Sequence, residues 1–160
     1  MGLFSNLFAR GKPTLSEAAS RDAASIAALH AASFRRGWSE QEVEGLLTDR
    51  HVIAHRAMVG SAMAGFIMSR LVEDEAEILS VAVAGQRRGR GLARNLLNLH
   101  LRRLAAFGAR AVFLEVDEHN AAANRLYDRA GFHEISRRPN YYPGPGGQAV
   151  AALVLRRDLV

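Results

Sequence analysis

Apolar and polar positions along the chain alternate between helical and strand periods. Apolar residues recur about every 3.6 positions, as in a helix, in four segments: from Ser20 to the break at Gly37, from the capping box Ser39–Glu42 through Leu47, from Leu92 to Phe107, and from Ala121 to Arg129. Strand-like runs fill most of the remainder: Thr14 to Ala18, His51 to Val59, Met63 to Leu71, Glu75 to Val83, Ala111 to Val116, Phe132 to Arg138 and Ala149 to Leu155. This order predicts an α+β fold, with one mixed sheet of about six to seven strands flanked by about four helices.

Two segments lie outside these regular elements. Residues 1–12 carry two leucines and two phenylalanines at helical spacing, which fits either a short amphipathic anchor or a frayed terminus. The run Tyr141 to Gly147 is rich in proline and glycine and is predicted to be a surface loop. We therefore expect an N-terminal extension over 1–12 and a single domain over 13–160.

The charge of the chain points to an anionic ligand. Its 21 basic and 16 acidic side chains give a formal net charge of +5, and the composition of 49% hydrophobic and 23% charged residues is that of a globular protein. The arginines are scattered, and few of them lie beside an aromatic residue. We therefore expect a ligand that carries a few phosphates rather than direct nucleic-acid binding.

The absence of certain residues and spacings argues against cysteine chemistry and metal binding. The chain has no cysteine, which excludes disulfides, thiolate metal sites and a cysteine nucleophile. Its six histidines lack metal-ligand spacing, so we expect no metal. No apolar run approaches the roughly 20 residues of a membrane span, and no signal-peptide pattern is present, so the expected location is the cytoplasm.

The stretch from Leu79 to Leu97 combines a strand, a glycine-rich turn and the start of a helix. Unpaired amides and the helix dipole make such a helix start a phosphate site. Glycine lets the backbone approach the phosphate oxygens closely, and nearby arginines add formal charge. The glycines and arginines of this stretch are Gly85, Arg87, Arg88, Gly89, Arg90, Gly91 and Arg94. A plain loop remains the alternative, since such turns also occur without a ligand.

Three polar residues further along the chain are candidates for chemistry. Glu115 lies inside an apolar strand, where it either faces solvent or belongs to a site; burial would raise its pKa toward the range of a general base. Asn120 is placed to cap the following helix, and it could also bind a ligand. Tyr127 lies on that helix and is either a half-buried packing residue or a general acid.

A set of motifs in compatible order and spacing then points to a family. They are Val81-Ala82-Val83, Arg88-Gly89-Arg90-Gly91-Leu92-Ala93, Leu114-Glu115-Val116, Asn120, Asn124-Arg125-Leu126-Tyr127 and Gly131-Phe132. Together they resemble the Gcn5-related N-acetyltransferases, and more narrowly the ribosomal-protein-alanine N-acetyltransferase group. The resemblance covers roughly Thr14 to Leu155 and implies an α/β sandwich that binds acetyl-CoA.

The resemblance also implies roles for these residues. The family signature fits as Arg88, Gly91 and Ala93 or as Gln86, Gly89 and Gly91, and we prefer the first because it starts the helix at Leu92. The amides from Gly89 to Arg94 would then hold the pyrophosphate of coenzyme A, while Val81, Ala82 and Val83 would splay from the neighbouring strand and pair with the pantetheine arm. Asn120 would contact the cofactor, Glu115 would be the general base, and Tyr127 would protonate the departing thiolate.

The acceptor is also implied by resemblance. The segment Arg138 to Pro143 and the segment Gly37 to Glu40 resemble the two walls of the family's acceptor-peptide groove, so Trp38, Tyr141 and Tyr142 would hold a peptide N-terminus unless they only cover the sheet edge. The implied function is acetylation of a protein N-terminal α-amine, with the N-terminal alanine of a small-subunit ribosomal protein as acceptor. The alternatives are acetylation of a small amine, such as a polyamine or aminoglycoside, and a non-catalytic acyl-CoA-binding module.

Overall fold

The computed structural model describes residues 11–159, so the predicted extension over 1–12 lies outside the described residues except for Gly11 and Lys12. Within these residues there are seven strands: β1 (Thr14–Glu17), β2 (Val52–Val59), β3 (Ala62–Val72), β4 (Glu75–Val83), β5 (Ala111–Asp117), β6 (His133–Pro143) and β7 (Ala149–Asp158). The same described part of the chain has four α-helices: α1 (Ala23–Ser33), α2 (Glu40–Thr48), α3 (Leu92–Ala106) and α4 (Ala121–Arg129). The predicted α+β fold with one mixed sheet is confirmed.

The strands form one sheet in the order β1-β2-β3-β4-β5-β7-β6. Neighbouring strands are antiparallel except β4 and β5, which are parallel and are connected through α3. A parallel pair needs such a crossover, since a tight turn reverses the direction of the chain. The glycine stretch lies at the beginning of this crossover.

Two apolar clusters hold the helices against the sheet. In the first, the leucine stripe of α3 packs with Leu114, Val116, Tyr127 and Phe132. In the second, Ile26 of α1 and Val43 of α2 pack with side chains from β2, β3 and β4. The wide stripe of α3 is what a helix needs in order to bury one face against a sheet.

The first helix begins later than its sequence pattern predicts. Ser20 starts a 3-10 turn, and α1 begins at Ala23 with Asp22 as its N-cap residue. Asp22 is buried, accepts a hydrogen bond from the Ala19 amide at 2.9 Å and pairs with Arg56 on β2 at 2.6 Å. The prediction of Ser20 as the cap was wrong because this tertiary ion pair selects Asp22.

The aromatic loop was also predicted incorrectly. Tyr141 and Tyr142 lie within β6, which continues to Pro143 and pairs with β7 through Tyr142 and Val150. The register shifts between Arg138 and Tyr142, where Asn140 has a φ of 60°. This irregularity lets the strand tolerate residues that normally end regular structure. None of the described helices is long and apolar enough to cross a membrane.

Candidate functional site

Strands β4 and β5 separate at the centre of the sheet. They pair only where Glu75–Glu77 faces Ala111–Phe113, whereas β4 continues to Val83 and β5 pairs with β7 along its whole length. Strand β4 also has a bulge, since Met68 pairs with Ser80 and Ser69 with Ile78, which leaves Leu79 outside the register. The ends of β4 and β5 therefore enclose a gap.

The glycine loop closes one side of this gap. It consists of a 3-10 turn over Gly85–Arg87, followed by Gly89 and Gly91 with φ values of 76° and 80°. Gly91 is the N-cap residue of α3, which begins at Leu92 as predicted. A Cβ on Gly89 or Gly91 would meet no protein atom within 4 Å. These glycines are thus required by backbone conformation, and the space beside them is open to a ligand.

A cavity of about 920 Å³ extends from the loop along the end of β4 to helix α4. Its walls include all of the predicted donor-binding residues except Arg90: Val81, Ala82, Val83, Arg88, Gly89, Gly91, Leu92, Ala93, Arg94 and Asn120. Arg90 lies instead on a smaller neighbouring cavity with Lys12 and Arg102. The structure thus brings together strand, loop and helix residues that are far apart in sequence.

The cavity is strongly cationic. The described residues that line it include no aspartate or glutamate. They include six arginines, which are Arg87, Arg88, Arg94, Arg125, Arg129 and Arg157. The Nε of Arg88 donates to the Val83 carbonyl oxygen at 3.2 Å, which ties the loop to the end of β4. Such a wall suits a ligand with several negative charges.

Tyr127 lies at the inner part of the cavity. Its side chain is buried, and its ring contacts that of Phe132 edge to face at a centroid distance of 5.5 Å. Burial raises the pKa of the Tyr127 hydroxyl to about 12. The phenol is therefore protonated at physiological pH, and its hydroxyl can donate a hydrogen bond to a ligand in the cavity.

Asn120 caps helix α4, the role that its position suggests. Its Oδ1 accepts a hydrogen bond from the Ala123 amide at 3.2 Å, while the residue also lines the cavity. Asn124 fixes the same turn, because its amide nitrogen donates to the carbonyl oxygens of Asp117 and Glu118 at 3.2 and 3.1 Å. The end of β5 and the start of α4 are thus held together beside the gap.

Glu115 lies on the opposite face of β5 from the leucines of α3. Leu114 and Val116 point into the first apolar cluster, so strand alternation directs Glu115 to the other face. Its side chain is 30% exposed and lies 3.3 Å from a guanidinium nitrogen of Arg138. Of the two surroundings considered for Glu115, a partly solvent-exposed position on the sheet is therefore the one found in this structure.

The aromatic candidates form two separate groups. Tyr141 packs edge to face on Tyr142 at 5.0 Å, and the Arg138 guanidinium lies 5.6 Å from the Tyr141 ring centroid. Partial burial, with a smaller contribution from the Glu115 charge, raises the pKa of Tyr142. Trp38 instead stacks on His30 at 4.1 Å, and its amide donates to His30 Nδ1 at 3.0 Å. Arg138 therefore links the tyrosines to Glu115, whereas Trp38 is fixed to α1.

Sequence reasoning missed several residues that line the cavity. Ser33 and Phe34, at the end of α1, were read only as helix residues, and Arg125, Arg129 and Arg157 were assigned no role. Arg125 and Arg129 could have been found from their i, i+4 spacing on a helix that also carries Tyr127. No local signal marks Ser33 or Arg157, because only the folded sheet brings them to the cavity.

Comparison with known proteins supports one family. Residues 23–132 match the acetyltransferase (GNAT) family. The [ribosomal protein bS18]-alanine N-acetyltransferase of Salmonella typhimurium is 35% identical over 117 residues, which cover 73% of this chain and 78% of that protein. The protein of the same name from Haemophilus ducreyi is 36% identical over 90 residues, which cover 56% of this chain and 62% of the relative.

Solved structures show the same fold. The crystal structure of the ribosomal-protein-S18-alanine N-acetyltransferase from Escherichia coli matches with a TM-score of 0.86 and 28% identity, covering 92% of this chain and 94% of that one. Arabidopsis thaliana NAA60 in complex with acetyl-CoA matches in fold, with a TM-score of 0.82, 19% identity, and 92% and 99% coverage. The chain therefore belongs to the acetyltransferase (GNAT) family, whose members are acyltransferases that use acetyl-CoA.

Proposed function

We propose that this protein transfers an acetyl group from acetyl-CoA to a protein N-terminal α-amine, namely the N-terminal alanine of a small-subunit ribosomal protein such as bS18. The observation that carries the proposal is the cationic cavity that joins the glycine loop to Tyr127 through the gap between β4 and β5. The similarity to the bS18-alanine acetyltransferases directs the choice of acceptor. An acceptor on the ribosome is consistent with action in the cytoplasm.

The cavity residues fit acetyl-CoA in shape and charge. The open space beside Gly89 and Gly91 lets loop amides reach a pyrophosphate, and the flanking arginines neutralise it. The unpaired edge of β4 offers backbone groups from Val81 to Val83 to the amides of a pantetheine arm. Acetyl-CoA supplies the thioester carbon that the amine attacks.

Glu115 is the general base in this proposal. Glu115 and Tyr127 lie on opposite faces of the sheet, and Glu115 is not among the described residues that line the cavity. In this proposal the amine reaches the thioester from the Glu115 face through the gap where β4 and β5 no longer pair. An N-terminal amine has a pKa of about 7.7 to 8.0, so most of it is protonated near pH 7. The Glu115 carboxylate removes this proton, directly or through water, and the Arg138 guanidinium gives way to the incoming ammonium group.

Tyr127 is the general acid. Its pKa of about 12 exceeds the roughly 8.5 of a free thiol, so full proton transfer would be uphill for a thiolate in water. A thiolate leaving inside the cavity is itself desolvated and becomes a stronger base. The Tyr127 hydroxyl therefore donates to the sulfur as the carbon–sulfur bond breaks, and its proton becomes the thiol proton. The second proton, which the nitrogen loses as the amide forms, restores the phenol through water.

The acceptor peptide in this proposal binds on the Glu115 face of the sheet. The packing of Tyr141 on Tyr142 beside Arg138 supports these residues as one wall of its site, and Trp38, stacked on His30 before α2, is proposed as the other. Asp117 ends β5, and Glu118 follows in the turn after it, where it pairs with Arg137 at 2.8 Å. Carboxylates around the entrance would attract a positively charged N-terminus.

The proposal is tested with a library of peptides that differ at the N-terminus, incubated with the enzyme and acetyl-CoA. We expect preferential acetylation of the Ala-initiated peptide of bS18, with mass spectrometry placing the acetyl group on the α-amine. A matched peptide with a blocked N-terminus and a free lysine is the control. Preferential transfer to lysine or to a polyamine would overturn the acceptor assignment, and acetyl-CoA binding without transfer to any peptide would favour the non-catalytic alternative.

A further inference from the structure

The cavity beside the glycine loop, which is the proposed acetyl-CoA site, has a second group of arginines apart from those of the loop. Arg125 and Arg129 on α4 and Arg157 on β7 all line it. Arg125 and Arg129 are exposed and Arg157 is half-buried, so this group forms the outer rim of the cavity. The proton-transfer chemistry and the pyrophosphate site leave these three side chains without a role.

Their arrangement concentrates positive charge. Arg125 and Arg129 are one helical turn apart on the same face of α4, where like charges repel. The Nη1 of Arg157 donates to the Ala130 carbonyl oxygen at 2.7 Å, which holds a third guanidinium at the end of the same helix. The negative end of the helix dipole offsets part of this charge. Since no acidic residue is found among the described lining residues, an anion is the natural partner for the remainder.

The position of the group along the cavity indicates which anion it binds. Tyr127 lies between Arg125 and Arg129 in sequence, but its side chain is buried and faces the inner part of the cavity. Helix α4 thus presents its tyrosine at the inner end and its arginines at the rim. A donor with its thioester near Tyr127 and its pyrophosphate at the glycine loop would have its nucleotide end at this rim.

We propose that Arg125 and Arg129, supported by Arg157, bind the ribose 3′-phosphate of coenzyme A and make the enzyme discriminate against donors that lack this phosphate. This inference rests on the proposed function, because it takes acetyl-CoA as the donor. A phosphate monoester carries close to two negative charges at neutral pH, so it matches a cluster of guanidinium groups better than a ribose hydroxyl does.

The test compares acetyl-CoA with acetyl-dephospho-CoA as donors for the same peptide. We expect a KM about tenfold lower for acetyl-CoA in the wild type, a modest factor because the arginines are solvent-exposed. The Arg125→Gln/Arg129→Gln variant should raise the KM of acetyl-CoA to that of acetyl-dephospho-CoA and leave the latter unchanged within about twofold. Glutamine is a good helix former, so α4 should remain folded.

The matched control is Arg21→Gln/Arg110→Gln, which removes the same charge at exposed positions outside the cavity. It should retain the wild-type preference between the two donors. Equal KM values for both donors in the wild type, or an equal rise for both in the Arg125→Gln/Arg129→Gln variant, would overturn the proposal. If the enzyme transfers acetyl to no peptide, calorimetric binding of CoA and dephospho-CoA decides this inference separately from the proposed function.

Discussion

A buried histidine pair in the core should make the stability of this protein fall in mild acid. His55 Nδ1 and His100 Nδ1 are 2.7 Å apart, and His100 Nε2 is 2.7 Å from Ser69 Oγ. His100 and Ser69 are fully buried, and His55 nearly so. Burial, and secondly the proximity of His55, lowers the pKa of His100 from 6.5 to about 3. Burial likewise lowers the pKa of His55.

The sign and size of the effect follow from proton linkage. Below pH 6.5 the unfolded chain binds a proton at His100 and the folded protein does not, so stability is full above pH 6.5 and is lost as the pH falls toward 3. At pH 5, about 1.5 pH units below the unfolded value, His100 alone should cost about 2 kcal/mol of unfolding free energy. His55 adds to this loss in the same direction.

Urea unfolding between pH 7.5 and 5 measures this dependence. His100→Leu breaks the hydrogen-bonded chain, which should lower the stability at pH 7.5, but the stability of this variant should fall by about 2 kcal/mol less than that of the wild type between these limits. The control His133→Gln removes an exposed histidine and should leave the wild-type slope unchanged. Parallel losses in the wild type and His100→Leu, or a His100 imidazole that titrates near 6.5 by NMR, would refute the reasoning.

Three further predictions concern catalysis. Tyr127→Phe keeps the packing against Phe132 and removes the hydroxyl, so kcat should fall about 100-fold while the KM for acetyl-CoA stays within about threefold; an unchanged kcat would remove the acid role. Glu115→Gln should lower kcat/KM about 100-fold at pH 7, and this deficit should shrink above pH 8, where the free amine predominates; a deficit independent of pH in initial-rate profiles would argue against a base. Gly91→Ala places a Cβ at a φ of 80°, which should lower the stability by about 1 to 2 kcal/mol. The same variant should raise the KM for acetyl-CoA about tenfold. The control Gly85→Ala, at a position without a positive φ, should change neither the stability in thermal unfolding nor this KM.

The elements could be predicted from sequence where local and tertiary preferences agree. Helix α4 has the predicted bounds, because Asn120 caps it and Gly131 with a φ of 88° follows it. The predicted start of α3 at Leu92 agrees with the structure for a similar reason, since Gly91 supplies the required left-handed turn. The predictions failed where a residue distant in sequence determines the local structure. The start of α1 is an example, because the ion pair with Arg56 selects Asp22 as the N-cap residue.

The candidate site shows the same division. The glycine loop and its arginines are contiguous, so their chemistry is visible in the sequence. The surroundings of Glu115 are not visible there, because Arg138 reaches it from β6, which is separated from β5 by β7 in the sheet. His100 gives a further example: it lies in the leucine stripe of α3, and only its pairing with His55 and Ser69 explains a polar residue there.

The bulge at Leu79 links the fold to the site and could not be read from the apolar pattern. Before it, Ile78 points toward the α3 cluster; after it, Val83 points to that same cluster and Ala82 to the opposite one. In a regular strand Ile78 and Ala82 would share a face, since side chains alternate with a period of two. The extra residue, Leu79, reverses which side chains of β4 point to each face of the sheet, close to the point where β4 separates from β5. It therefore directs Val83 to the packing of α3 and leaves the edge of β4 beside the cavity without a neighbouring strand.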